Sequence, residues 1–135
     1  ARQANVAVMG IGTMDYETSR YVHFTGLSPE DMKRIAEVDG GVGEIGAYVF
    51  DKEGNPRAQE YADRVVGLNL PELQQIPLFI GVAATSIKAL PLYGALRGRY
   101  LDVLVTDEAA ARGILDLFDK HFRGHPAASD DTTEA

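Results

Sequence analysis

Leu78-Phe79-Ile80-Gly81-Val82-Ala83 is a continuous apolar run, the pattern of a strand buried on both faces. Helical spacing follows at Ile87, Leu90, Tyr93 or Gly94, and Leu96 or Arg97, with Gly98 closing the segment. Pro91 fits such a helix in its first turn, where backbone N–H groups have no intrahelical partner. Leu101-Asp102-Val103-Leu104-Val105 is a second short buried strand. Thr106 is then expected to cap a further helix, with Asp107 and Glu108 in its first turn, where the helix dipole favours anions. Ala110, Ile114, Leu115 and Phe118 form that helix's apolar stripe, and Glu108 with Arg112 makes a supporting i,i+4 pair. Strand, helix, strand, helix in this order predicts a parallel sheet.

Working outward, Asn5-Val6-Ala7-Val8-Met9-Gly10-Ile11-Gly12 is a third apolar run, read as a buried strand turning at its glycines. A buried strand needs neighbours on both edges, so further sequence is expected upstream. Ser28-Pro29-Glu30-Asp31 is a helix start, with Ser28 as cap and Pro29 at the first helical position. That helix is expected to run to about Val38 and stop at Gly40-Gly41. Ile45 to Asp51 is read as one strand, Lys52 to Pro56 as a turn, and Arg57 through Val66 as a second extended stretch. Leu70 to Pro77 is a connector with one helical turn. Gly124 to Ala135 has no apolar residue beyond alanine and is expected to be a disordered tail. The fold class is therefore α/β, a mainly parallel sheet with helices on both faces. Three confident strands leave two open edges, so residues 1–123 are expected to be part of a domain.

Composition narrows the function. The 135 residues carry 13 Lys+Arg against 20 Asp+Glu, a net charge of −7. A charge of that sign disfavours gripping phosphodiester backbones. No apolar run is long enough to span a membrane, and no signal peptide is expected at the start. Cysteine is absent, which excludes disulfides, thiolate metal sites and thiol nucleophiles. His121 and His125 have helical i,i+4 spacing but no third ligand, so no metal site is expected. No P-loop and no nucleophile elbow is present. Gly41-Val42-Gly43-Glu44-Ile45-Gly46 matches the spacing of a dinucleotide fingerprint, but a helix precedes it and a strand follows, the reverse of what that site needs. No cofactor is expected.

Two side chains stand out. Glu44 lies among glycines, either as a solvated loop carboxylate or as an acceptor for hydroxyls of a ligand that the small neighbours admit. Lys88 lies just beyond a strand end in the first turn of a helix, where a cation is electrostatically misplaced. It is either a surface lysine or a partner of free backbone N–H groups in holding an anion. In open α/β sheets ligands bind outside the carboxyl ends of strands. Gly10, Gly12, Ala83, Ala84, Thr85 and Lys88 all fall at such ends. Asp51 reads as a turn carboxylate leading into Gly54.

An ordered set of segments resembles one family. The set is Gly10-Ile11-Gly12, Leu27-Ser28-Pro29-Glu30, Val42-Gly43-Glu44-Ile45 with Phe50-Asp51, Ile76-Pro77, Gly81-Val82-Ala83 with Lys88-Ala89, Ala95-Leu96-Arg97-Gly98, and Asp102 through Ala109. It is similar to the sugar-binding domain of SorC-type bacterial transcriptional regulators, which include the central glycolytic gene and deoxyribonucleoside regulators. The resemblance spans about positions 5 to 118. It implies a fold like ribose-5-phosphate isomerase, glucosamine-6-phosphate deaminase and CoA transferases, and a C-terminal half of an effector domain.

The resemblance further implies a phosphorylated sugar or related carbohydrate that is bound and not turned over. It also implies operator DNA read by a helix-turn-helix domain outside this chain, a dimer or tetramer, and a cytoplasmic location. By motif position Glu44 would hold sugar hydroxyls and Lys88 the phosphate or other oxygens. Gly10 and Gly12 would let backbone approach the ligand, and Arg20 matches a basic position. Where members have Gly-Gly, Ala84-Thr85 stands here, which narrows the loop. The rival expectation is a phosphosugar isomerase or deaminase on the same fold, with Glu44 or Asp51 as base.

Overall fold

A computed structural model describes residues 3–123. The tail expected from Gly124, and His125 within it, lie outside the described residues. The sequence-predicted βαβ unit is present. Strands β1 (Val6–Gly10), β6 (Leu78–Val82) and β7 (Val103–Val105) form a parallel sheet in the order β1-β6-β7. Helix α5 (Ala89–Arg97) links β6 to β7, with Pro91 in its first turn as expected, and α6 (Glu108–Arg123) follows β7. The two helices pack on each other and on one face of the sheet, around Phe79, Leu92, Tyr93, Ala110 and Ile114.

The other face is different. Val8 is paired in register with Ile80 and Ile80 with Val103, while Val82 is paired with Val105. Val6, Val8, Val82, Val103 and Val105 are all exposed, Val8 by 64%. The expectation of strands buried on both faces is therefore corrected. The valines reflect β preference and an apolar face, but no helical layer covers that face among the described residues.

A second sheet was not expected. The segment read as a single strand over Ile45 to Asp51 is two strands of a hairpin, β3 (Gly41–Ile45) and β4 (Tyr48–Asp51). With β2 (Gly12–Thr13) and β5 (Pro56–Arg57) they form an antiparallel sheet in the order β2-β3-β4-β5. Gly46 and Ala47 make the two-residue turn, with φ of 58° and 74°. Positive φ at both positions is the turn whose twist matches a hairpin. Alanine at the second position hides it, because Asn-Gly or Asp-Gly is the usual signal. The glycines of the fingerprint-like stretch serve packing: a Cβ on Gly41 would strike Ile35 and Val49, and one on Gly43 would strike Phe50 and Pro91.

The extended stretch expected over Arg57 to Val66 is also corrected. Only Pro56–Arg57 is strand, and Ala58 at φ 53° turns the chain into the short helix α3 (Gln59–Ala62). Tyr61 is anchored there by donating to Asp31 and accepting from Arg34. Helix α2 (Pro29–Glu37) starts as read, with a reciprocal cap between Ser28 and Asp31. Helix α4 (Leu70–Leu73) supplies the expected helical turn of the connector. Helix α1 (Tyr21–Thr25) was not anticipated. Thr106 does not cap α6. Asp107 does, accepting from the Ala110 amide, because its carboxylate reaches the first-turn donors. Met14, Tyr21, Leu27, Met32, Ile35 and Val49 form a second, smaller core between α1, α2 and the hairpin.

A cavity between the two sheets

Chain direction brings Glu44 to the junction of the sheets. At the end of β1 the backbone leaves the parallel sheet at Gly10, passes the buried Ile11, and enters the antiparallel sheet at Gly12. Gly12 pairs directly with Glu44. A Cβ on Gly12 would overlap the Glu44 carboxylate, so glycine here makes room for that side chain and not for a ligand backbone contact alone. Glu44 Oε2 accepts from the Ala47 amide at 2.9 Å. No donor among the described residues hydrogen-bonds Oε1. Burial pushes the Glu44 carboxyl above its ordinary value, with the Ala47 amide and the Lys88 charge acting against that rise.

A cavity of about 390 Å³ opens beside this carboxylate. Gly10, Arg20 and Glu44 line it, so three of the residues singled out from sequence meet there. Met9, Tyr21, Phe24, Gly46 and Ala47 complete the wall. Tyr21 donates its hydroxyl to the Ala47 carbonyl at 2.9 Å. Its phenol is pushed up to about 12, first by burial and then by the Glu44 charge. The strained Ala47 is thus tied on its N–H by Glu44 and on its carbonyl by Tyr21. Arg20 makes no ion pair among the described residues, and Phe24 is 82% exposed at the cavity wall.

Lys88 does not line the cavity. It ends the 3-10 turn Ser86–Lys88, which packs against β2 and α6. Lys88 and Glu44 make no contact ion pair, but each feels the other's charge. Burial pulls the Lys88 ammonium below its ordinary value and Glu44 opposes that fall. Ala84 and Thr85 are exposed at the carboxyl end of β6. Neither they, Lys88 nor Gly12 lines the cavity itself. The sequence reading missed Tyr21 and Phe24, which sit on a helix too short to show periodicity.

Asp51 is a turn carboxylate, as read. It is 4% exposed and accepts from the Glu53 and Asn55 amides, the Asn55 side chain and the Arg57 guanidinium. Saturated in this way, it has no lone pair left for chemistry. No group of three or more His, Asp or Glu among the described residues could hold a metal, and no helix there is long and apolar enough to cross a membrane.

Residues 1–116 match the protein family described as "Putative sugar-binding domain". The transcriptional regulator LsrR of Klebsiella pneumoniae is 34% identical over 118 residues, covering 87% of this chain and 36% of that protein. The deoxyribonucleoside regulator of Bacillus subtilis is 32% identical over 115 residues, covering 85% and 36%. The chain thus spans little more than a third of the length of these relatives. Among solved structures, the sugar-binding domain of a transcriptional repressor from Vibrio fischeri superposes with a TM-score of 0.76 at 36% identity, over 87% of this chain and 46% of that one. The full-length sorbitol operon regulator SorC from Klebsiella pneumoniae gives 0.73 at 25% identity, over 84% and 36%. These relatives carry the names of regulators and lend no support to the isomerase or deaminase alternative. With a family match over nearly its whole described length and relatives of this kind, the chain belongs to the sugar-binding domain family of SorC- and DeoR-type transcriptional regulators.

Proposed function

We propose that this chain is the C-terminal half of an effector-binding domain, and that it binds a phosphorylated sugar or related carbohydrate. Glu44 orients the ligand's hydroxyls through Oε1. Arg20, which lines the cavity, and Lys88, whose charge is felt at that carboxylate, neutralise an anionic group. Gly10 lets the ligand approach the backbone, and Ala84-Thr85 narrows the far rim. The observation that carries this reading is a half-buried carboxylate that has one oxygen without a protein donor and lines a cavity together with an arginine that makes no ion pair among the described residues.

The relatives' names as transcriptional regulators support a wider assignment. The intact protein is a cytoplasmic homo-oligomer, a dimer or tetramer, whose helix-turn-helix domain binds operator DNA. The carbohydrate alters operator affinity by binding one arrangement of the domains better than another. No turnover is assigned: the Tyr21 hydroxyl beside Glu44 is committed to the Ala47 carbonyl, and Asp51 is saturated. Calorimetry of the intact protein against a panel of sugar phosphates, with Glu44→Ala and Lys88→Ala beside it, tests the site. Binding by the wild type and a loss of at least tenfold in each variant is expected. Equal affinity in all three would remove the assignment, and turnover of any panel member would remove the non-enzymatic reading.

A further inference from the structure

The loop that delivers Lys88 contains an anomaly. Thr85 stands at φ 82° and ψ 149°, backbone territory that is nearly reserved for glycine and that a β-branched residue enters only when its surroundings force it. Two bonds do so. The Thr85 amide donates to Asp107 Oδ2 at 2.9 Å, and the Thr85 carbonyl accepts from the Lys88 amide at 3.0 Å. The other oxygen of the same carboxylate, Asp107 Oδ1, accepts from the Ala110 amide at 2.9 Å and so caps α6. One side chain therefore ties the start of a sixteen-residue helix to the strained residue three places before Lys88. The bonds to Ala110 and Thr85 also hold the Asp107 carboxyl below its ordinary range.

We propose that Asp107 is a positioning residue for Lys88: by clamping the Thr85 amide it holds the strained turn that sets the lysine beside Glu44. Without the clamp Thr85 relaxes to negative φ. A rotation there swings Ser86–Lys88 as a unit, because the 3-10 turn is bonded to the Thr85 carbonyl. The proposal rests on the reading of Lys88 and Glu44 as ligand-binding groups, but the clamp has consequences that need no ligand.

Asp107→Ser separates capping from clamping. Serine is a good helix cap, and its shorter side chain cannot serve both sites. Hydrogen exchange on the intact protein is expected to show protection of the Lys88 amide falling at least tenfold, with Ile114 inside α6 within threefold of wild type. Adding Thr85→Gly relieves the strain, so the double variant is expected to return the Lys88 amide to within threefold of wild type. Affinity for glucose 6-phosphate, fructose 6-phosphate or ribose 5-phosphate, whichever the wild type binds, is expected to follow the same pattern of loss and rescue.

Unchanged Lys88 protection in Asp107→Ser would overturn the clamp. Lost protection with unchanged affinity would overturn its positioning role. If the wild type binds none of the three sugars, the ligand site falls instead. The clamp is then decided by the rate of Lys88 acetylation with acetic anhydride, expected to change at least threefold in Asp107→Ser and to revert in the double variant. An unchanged rate would overturn it.

Discussion

The hairpin β3–β4 has a carboxylate at each end, and the two ends behave oppositely. At the open end, Asp51 is enclosed by amides, an asparagine and an arginine, and every lone pair is used. At the turn end, Glu44 has one donor, the Ala47 amide, and is pushed up by burial. Burial also acts to raise Asp51, but the Asn55 and Arg57 donors outweigh it and hold that carboxyl below its ordinary value. One carboxylate thus stabilises the fold when ionised, and the other destabilises it. Saturation by hydrogen bonds, the charged ones from Arg57 included, separates a structural acid from a candidate ligand-binding one.

The sharpest way to break this contrast is Asp51→Ala. It strands Arg57 and several amides, and is expected to cost about 2–3 kcal/mol in denaturant unfolding. The pH dependence follows from the lowered Asp51 value. Its contribution is fully present above the ordinary carboxylate value of 3.8 and is lost as pH falls through the lower folded value. Asp51→Asn is expected to flatten that acid limb.

Gly12→Ala attacks the other end. A methyl group there takes the space of the Glu44 carboxylate, so a loss of about 1–3 kcal/mol is expected together with loss of sugar phosphate binding. Glu44→Gln sharpens the comparison by reversing its sign. The raised carboxyl makes Glu44 a burden that grows as pH rises from 4.5 through its folded value. The variant is expected to be more stable than wild type at neutral pH, to show no gain well below pH 4.5, and to lose ligand affinity. A variant no more stable than wild type at pH 7 would show that Glu44 is already satisfied. The smallest effect is expected on the bare valine face: Val8→Thr in the 135-residue chain should stay within about 0.5 kcal/mol. A larger loss would reveal a covering layer.

Much of the fold was legible because it is encoded locally. The runs at Leu78–Ala83 and Leu101–Val105, the cap at Ser28-Pro29, the turn at Asp51 and the stripe of α6 at Ala110, Ile114 and Phe118 each depend on a few adjacent residues, though Leu115, read into that stripe, is exposed and Leu117 packs instead. The hairpin was not legible, because Ala47 occupies a conformation that normally announces itself with glycine or asparagine. The cap of α6 was misassigned by one residue, since Thr106 and Asp107 are both good caps and only geometry chooses between them. The candidate site was legible in part. Glu44, Gly10 and Arg20 meet at one cavity, with Lys88 nearby, but Tyr21 and Phe24 lie on a single helical turn with no pattern to mark them.

What the sequence determined by itself is the βαβα order from Leu78 onward, the family, and the chemical character of the two marked side chains. Hydrophobic periodicity, capping and motif order all act over a few neighbouring residues. Only the tertiary structure decided which of two hairpin carboxylates is left with an open oxygen, which face of the parallel sheet is covered, and what holds the lysine loop in place. Those outcomes depend on contacts between segments tens of residues apart, such as Gly12 with Glu44 and Thr85 with Asp107. No local pattern of residues carries that information.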